Sequence, residues 1–199
     1  MTMKIFGKFV TFKSFALMLS NDNSTFNFSL CTVMGSGGHT TEMIKLVREL
    51  NLNIYKPRTY FVAQTDKFSE AKIIEFERDS SEYFIVKIPR SREVGQSYIT
   101  SIVSTIRAFL FCVKPIWEFQ PQLLIVNGPG TCLPIAMITW FLSISKISPC
   151  KIIFVESLCR VKTLSLTGKI LQFFADESLV QWENLTVKYP RTKYVGKFL

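Results

Sequence analysis

Residues 28–43 read FSLCTVMGSGGHTTEM. A run of strand-forming residues, Phe28 to Met34, breaks into three closely spaced glycines, and Thr40 to Leu52 then carries apolar residues at helical spacing. A strand that enters a helix through a glycine loop is the opening unit of a parallel α/β sheet, because only a helical crossover returns the chain to start a parallel neighbour. Working outward, the same alternation repeats to the C-terminus. Further strands are expected at Thr59 to Ala63, Tyr83 to Ile88, Leu123 to Asn127, Ile152 to Glu156 and Leu179 to Trp182. Helices are expected at Phe68 to Asp79, Tyr98 to Phe119, Thr131 to Ser143 and Leu164 to Phe174. Several strands are almost continuously apolar, as burial on both faces requires. The expectation is a doubly wound, mostly parallel sheet forming one domain over residues 26–199, preceded by a basic amphipathic leader over residues 1–25.

Composition narrows the possible functions. The chain has 199 residues, 48% of them hydrophobic, with 18 Phe, which excludes a disordered chain. Five Cys form no CxxC pair, so no zinc site or disulfide framework is suggested, and a reducing compartment fits. His39 is the only histidine. The net charge of +9 is concentrated at the ends: +3 over residues 1–20, +1 over 21–145 and +5 over 146–199. No apolar run reaches the roughly 20 residues a membrane-spanning helix needs. In the leader, Ile5, Phe9, Phe12, Ala16 and Leu19 fall at helical spacing between Lys4, Lys8 and Lys13, which suits a helix lying in a membrane interface. Nucleic acid is not an expected partner, since the basic residues are not interleaved with exposed aromatics and no recognition motif occurs.

Ligands of such sheets gather at the carboxyl ends of the strands, so chemistry is sought in four loops. In VMGSGGHTTEM (33–43), Gly35, Ser36, Gly37 and Gly38 let backbone N–H groups approach an anion, with the following helix N-terminus behind them. Thr40 belongs with this cradle as an acceptor- or phosphate-binding residue; otherwise the loop is a tight turn, with Thr40 or Thr41 capping the helix and Glu42 or Glu49 offsetting its dipole. It is not the dinucleotide fingerprint, because position 40 is threonine, and no Walker lysine follows. His39 beside this cradle is placed to take a proton from an acceptor hydroxyl; otherwise it is a loop histidine bonded to a carbonyl. In IPRSREVGQSY (88–98), Arg90 and Arg92 offer phosphate-binding forks, unless they pair with Glu93 in solvent. VNGPGTCLP (126–134) presents Asn127, Gly128 and Gly130 in a constrained turn, either a tight strand-to-helix loop or a second anion or sugar contact on the same sheet edge as the first. VESLCRVKTLSLTGK (155–169) places Glu156 at the end of strand five, where it can hold a sugar hydroxyl, followed by Arg160 and Lys162, which can hold phosphates; otherwise the stretch is a solvated loop and cap.

These motifs, together with VQW (180–182) and the closing KYP and YVG (188–190, 194–196), resemble in that order the Alg14 family, over roughly residues 30–199. That family is the membrane-anchoring part of a two-chain UDP-N-acetylglucosamine transferase in N-glycan precursor assembly. The resemblance implies a Rossmann-like fold similar to the N-terminal, acceptor-binding half of a GT-B glycosyltransferase such as MurG. The donor-binding half would be a separate Alg13-like chain holding UDP-GlcNAc, with no cofactor or metal of this chain's own. The joint reaction would add the second GlcNAc to GlcNAc-diphosphate-dolichol on the cytosolic face of the endoplasmic reticulum membrane, and of the nuclear envelope continuous with it. By the same resemblance His39 and Glu156 are the two candidates for the base of an inverting transfer. The closing segment, Tyr194, Val195, Gly196, Phe198 and Leu199, is the expected partner contact. Three lysines and the polar SNDNST (20–25) stand where the family carries an apolar helix, so peripheral attachment through residues 3–19, with the 133–147 helix as a second contact, is expected. The alternative is a non-catalytic anchor, with every catalytic group on the partner.

Overall fold

In the computed structural model, which describes residues 27–90 and 98–197, seven strands form one sheet. The elements run β1 (Leu30–Val33), α1 (Gly38–Arg48), β2 (Arg58–Ala63), α2 (Lys67–Phe76), β3 (Tyr83–Ile88), α3 (Tyr98–Phe119) and β4 (Leu123–Val126). They continue with α4 (Cys132–Ile144), β5 (Lys151–Val155), α5 (Leu166–Leu171), β6 (Glu177–Val180), α6 (Asn184–Lys188) and β7 (Thr192–Tyr194). The strand order is β3-β2-β1-β4-β5-β6-β7 and every pairing is parallel. Residues 1–26, the expected leader, lie outside the described residues.

The apolar strand runs have the predicted cause: β1, β2 and β4 are buried along their whole lengths. Side chains alternate with period two between two core layers. Leu30, Leu123, Ile125, Ile153 and Leu179 pack with Met43 and Leu46 of α1 and Ile73 of α2. Cys31, Leu124, Val126, Ile152 and Phe154 pack on the other face with Cys112 and Ile116 of α3 and Ile135 of α4. Burial pushes the Cys112, Cys132 and Cys150 thiols up to about 12; all five cysteines are free, and only Cys159 is exposed.

Two helix starts follow side-chain capping chemistry. The Asp66 side chain accepts from the Ser69 backbone N–H (3.0 Å) ahead of α2, and Ser165 Oγ accepts from the Gly168 N–H (2.9 Å) ahead of α5. That second cap starts α5 at Leu166 where Leu164 was expected, and the helix ends at Leu171, short of Phe174. Two elements were not anticipated, α6 and β7. β7 is three residues at the sheet edge, TKY, and an edge strand paired on one side needs no apolar run to mark it.

What matters for function is where the order turns back on itself. β1 and β4 are neighbours, with Val33 opposite Val126, yet the chain leaves β1 toward β2 and leaves β4 toward β5. The glycine loops after these two strands therefore open side by side at the carboxyl edge, the crevice where open α/β sheets bind ligands.

Candidate functional site

At that edge a cleft of about 200 Å³ is lined by Met34, Ser36 and His39 from the first loop, Ala63 and Arg90 from the ends of β2 and β3, and Pro129 to Thr131 from the fourth-strand loop. Three of the loops singled out in the sequence thus meet around His39. Gly37, with φ 65°, is the N-cap of α1, and no side chain caps this end. The first N–H groups of the helix are left for a ligand or solvent. Thr40, expected at the anion cradle or as a cap, and Thr41, the other cap candidate, sit inside the helix instead. The Thr40 hydroxyl is buried between the Gly35 carbonyl and Ser69 Oγ, and Ser69 Oγ–H in turn donates to Asp66 (2.7 Å). Thr41 Oγ1 accepts from Lys72 Nζ (2.8 Å). Thr40 therefore ties the first loop to the second strand's loop and presents no group to the cleft.

Arg90 donates from Nη2 to Ser36 Oγ (3.2 Å) across the cleft mouth, and its buried Nε has no hydrogen-bond partner among the described residues. Nearby, burial would raise the Asp66 carboxyl, but hydrogen bonds from Ser69 and Ser36 and the Arg90 charge outweigh it and hold the group below its ordinary value. Arg90, Ser36 and the uncapped helix end give this edge the equipment to hold an anion. Arg92 lies outside the described residues.

His39 is fixed from behind. Its Nδ1 is 2.6 Å from Asn127 Oδ1, and Asn127 Nδ2 donates to Glu42 Oε2 (2.8 Å). Its ring lies over Gly128: a methyl group there would stand 2.9 Å from His39 Cε1, and one on Gly35 would stand 2.5 Å from Pro129 Cγ and 2.8 Å from His39 Cβ. Gly128 also has φ 68°, where a side chain is strained. Gly128→Ala is accordingly expected to displace the imidazole, lowering turnover at least tenfold and stability by about 1–2 kcal/mol. Gly130 has open space around its α-carbon, and Gly130→Ala should leave both nearly unchanged. Turnover and melting temperature of the two variants, measured side by side, check this.

The other sequence-derived candidates divide. Asn127, read as a ligand contact, is fully buried and its amide is committed to His39 and Glu42. Glu42, read as offsetting the helix dipole, is buried as well and accepts from Ser157 Oγ–H (2.9 Å) with its other oxygen. Sequence reasoning missed both tasks; the available signal was a carboxylate three residues after His39, on the inward face of α1. Glu156 is 0% exposed. It accepts from the backbone N–H of Ser157 (3.1 Å), and from the backbone N–H (2.8 Å) and hydroxyl (3.0 Å) of Ser165. Burial pushes its carboxyl up, opposed by these donors and by Arg160. Glu156 organises the fifth-strand loop from inside and is not part of the cleft lining. Arg160 and Lys162 are exposed on that loop, also outside the cleft. Tyr194 and Gly196 are half-buried at the β7 edge, Val195 packs into the core, and Phe198 and Leu199 lie outside the described residues.

A seven-stranded parallel Rossmann-like sheet defines the class, and solved structures share this fold. The chain superposes on Acinetobacter baumannii MurG with a TM-score of 0.61 at 13% identity, over 85% of this chain and 45% of that one. For LpCGTa, solved in complex with UDP, the TM-score is 0.56 at 13% identity, over 87% and 53%. The chain thus spans about half the length of these neighbours and corresponds to one half of a GT-B glycosyltransferase fold. Within that class it belongs to the Alg14 family: the family model described as "Oligosaccharide biosynthesis protein Alg14 like" matches residues 30–198. A Homo sapiens relative named UDP-N-acetylglucosamine transferase subunit ALG14 is 42% identical over 182 residues, 87% of this chain and 84% of that one. A Candida albicans relative of the same name is 42% identical over 170 residues, covering 84% and 76%.

Proposed function

We propose that this chain is the acceptor-side subunit of a two-chain UDP-GlcNAc transferase. It recruits an Alg13-like donor-binding subunit to the cytosolic face of the endoplasmic reticulum membrane and presents GlcNAc-diphosphate-dolichol for addition of the second GlcNAc. The observation that carries the reading is a cleft in which a candidate base, His39, stands beside Arg90 and an uncapped helix end, on a fold amounting to half of a GT-B enzyme. In the transfer the acceptor hydroxyl oxygen bonds to the donor's anomeric carbon while that carbon's bond to the nucleotide's phosphate oxygen breaks. The electron pair departs with UDP, and the acceptor proton passes to His39 Nε2. Arg90 and the α1 N-terminus hold the acceptor's diphosphate.

The membrane side of the proposal draws on the outer faces of α3 and α4, where Ile102, Val103, Ile106, Leu110, Trp117 and Phe141 are exposed, with Arg107 and Lys114 also exposed on α3. Among the described residues no helix is long and apolar enough to cross a membrane. An apolar face with Arg107 beside it, and with Lys114 paired to the exposed Glu118 (3.8 Å), suits a helix pair resting in a membrane interface. The test is co-expression with the donor-binding chain, followed by GlcNAc transfer to a synthetic lipid-diphosphate-GlcNAc, with each chain alone as control. Transfer by the pair and by neither chain alone is expected. Transfer by this chain alone would sink the split-enzyme reading.

A further inference from the structure

Behind His39 runs a buried polar chain that the reaction as described above does not use. Asn127 is 0% exposed and Glu42 5% exposed, and each uses both ends of its side chain. Burying a carboxylate and an amide costs free energy unless their hydrogen bonds are made, so a chain this complete fixes one arrangement. Its polarity can be read from chemistry alone. A carboxylate only accepts, so Glu42 Oε2 must receive the Asn127 NH2 group, and the Asn127 carbonyl oxygen then faces His39. An amide oxygen also only accepts, so the proton between it and His39 belongs to Nδ1. Glu42 cannot swing away, because Oε1 holds the Ser157 hydroxyl, and Ser157 is tied by its own N–H to Glu156.

We infer that Glu42 and Asn127 are positioning residues that hold His39 as the Nδ1–H tautomer, leaving the Nε2 lone pair as the basic site toward the cleft. Nε2 has no hydrogen-bond partner among the described residues, and the His39 ring lines the cleft. Without the pair, the imidazole is free to carry its proton on Nε2 and is then a donor where a base is needed. The inference rests on the proposed function for the base's task, while the tautomer itself does not depend on it.

Because His39 is the only histidine of the chain, its imidazole nitrogens give a single pair of signals. Nitrogen–proton correlation spectra of the full chain, free and with its donor-binding partner, are expected to show a protonated Nδ1 and an unprotonated Nε2. Asn127→Leu and Glu42→Leu should shift the ring toward Nε2–H and lower kcat by about ten- to a hundredfold, within what general-base catalysis supplies, with KM changed less than about twofold. Glu42→Gln should recover most of both readouts, because its amide oxygen still accepts from Asn127 and its NH2 can donate to Ser157 Oγ. A wild-type ring carrying its proton on Nε2, or a Glu42→Leu chain with tautomer and kcat unchanged, overturns the inference. The wild-type spectrum decides even if the leucine variants do not fold. Absence of transfer by the two-chain complex with the Nδ1–H ring intact would instead overturn the proposed function.

Discussion

Replacing His39 with alanine is expected to lower kcat of the assembled complex by about 100- to 10,000-fold, the range that a positioned general base contributes. The chain has one histidine, and among the other candidates Glu156 is sealed inside its loop by three donors. His39 alone combines a place in the cleft with an engaged Nδ1 and an open Nε2. Its removal leaves Asn127 Oδ1 without its partner, a cost of about 1–3 kcal/mol that the fold should survive. Assembly with the donor-binding chain should persist, so the loss appears in kcat at unchanged complex yield. Unchanged turnover in a complex of normal yield would transfer every catalytic group to the partner and leave this chain an anchor.

The parts of this site legible in the sequence are those marked by local chemistry. A glycine-rich turn after an apolar run identified both the β1 and β4 loops, and parallel topology put both on one sheet edge; their adjacency comes from the strand order, which the sequence did not mark. His39 was legible because it is the only histidine and adjoins the glycines. Illegible were the contacts between residues far apart in the chain. Asn127 meets His39 across 88 positions, and Ser157 meets Glu42 across 115, so neither partner carries a signal near the other. Glu156 was read as a ligand-facing carboxylate and candidate base because it closes a strand at the ligand-bearing edge. The structure instead folds the Ser165 cap of α5 back over it, and Gly168 is required there, since a methyl group would stand 2.5 Å from Glu156 Oε2. β7 was missed for a related reason: its parallel pairing with β6, Leu179 opposite Lys193, is a long-range contact between short segments.

The second large effect belongs to stability and lies at the opposite end of the sheet. Arg58 opens β2, and its Nε and Nη2 each donate to Glu77 at 2.6 Å, while Tyr60 also donates to Glu77. Nη1 donates to the carbonyls of Leu52 (3.1 Å) and Tyr55 (3.0 Å), and Nη2 also donates to Ser80 Oγ (2.9 Å). The pair's side chains are 4% and 2% exposed. Burial on its own would raise the Glu77 carboxyl; Arg58 and Tyr60 outweigh it and hold the group below its ordinary value. Glu77→Ala leaves a buried guanidinium without its counter-charge and is expected to cost about 3–5 kcal/mol. For a chain of this size that lowers the melting temperature by roughly 6–20 °C. Arg58→Met combined with Glu77→Leu should cost less than either charge removed alone, because no ion is then stranded. A carboxyl whose folded-state value is depressed contributes stability above its unfolded value, near 4.3, and loses it as the pH falls through the folded value. Urea unfolding should therefore separate wild type from Glu77→Ala widely at pH 7 and progressively less below about pH 4. A gap that stayed constant into acid would assign the loss to the cavity and not to the charge. Because Arg58 and the cleft sit at opposite ends of β2, molecules of the variant that remain folded should keep the turnover of wild type.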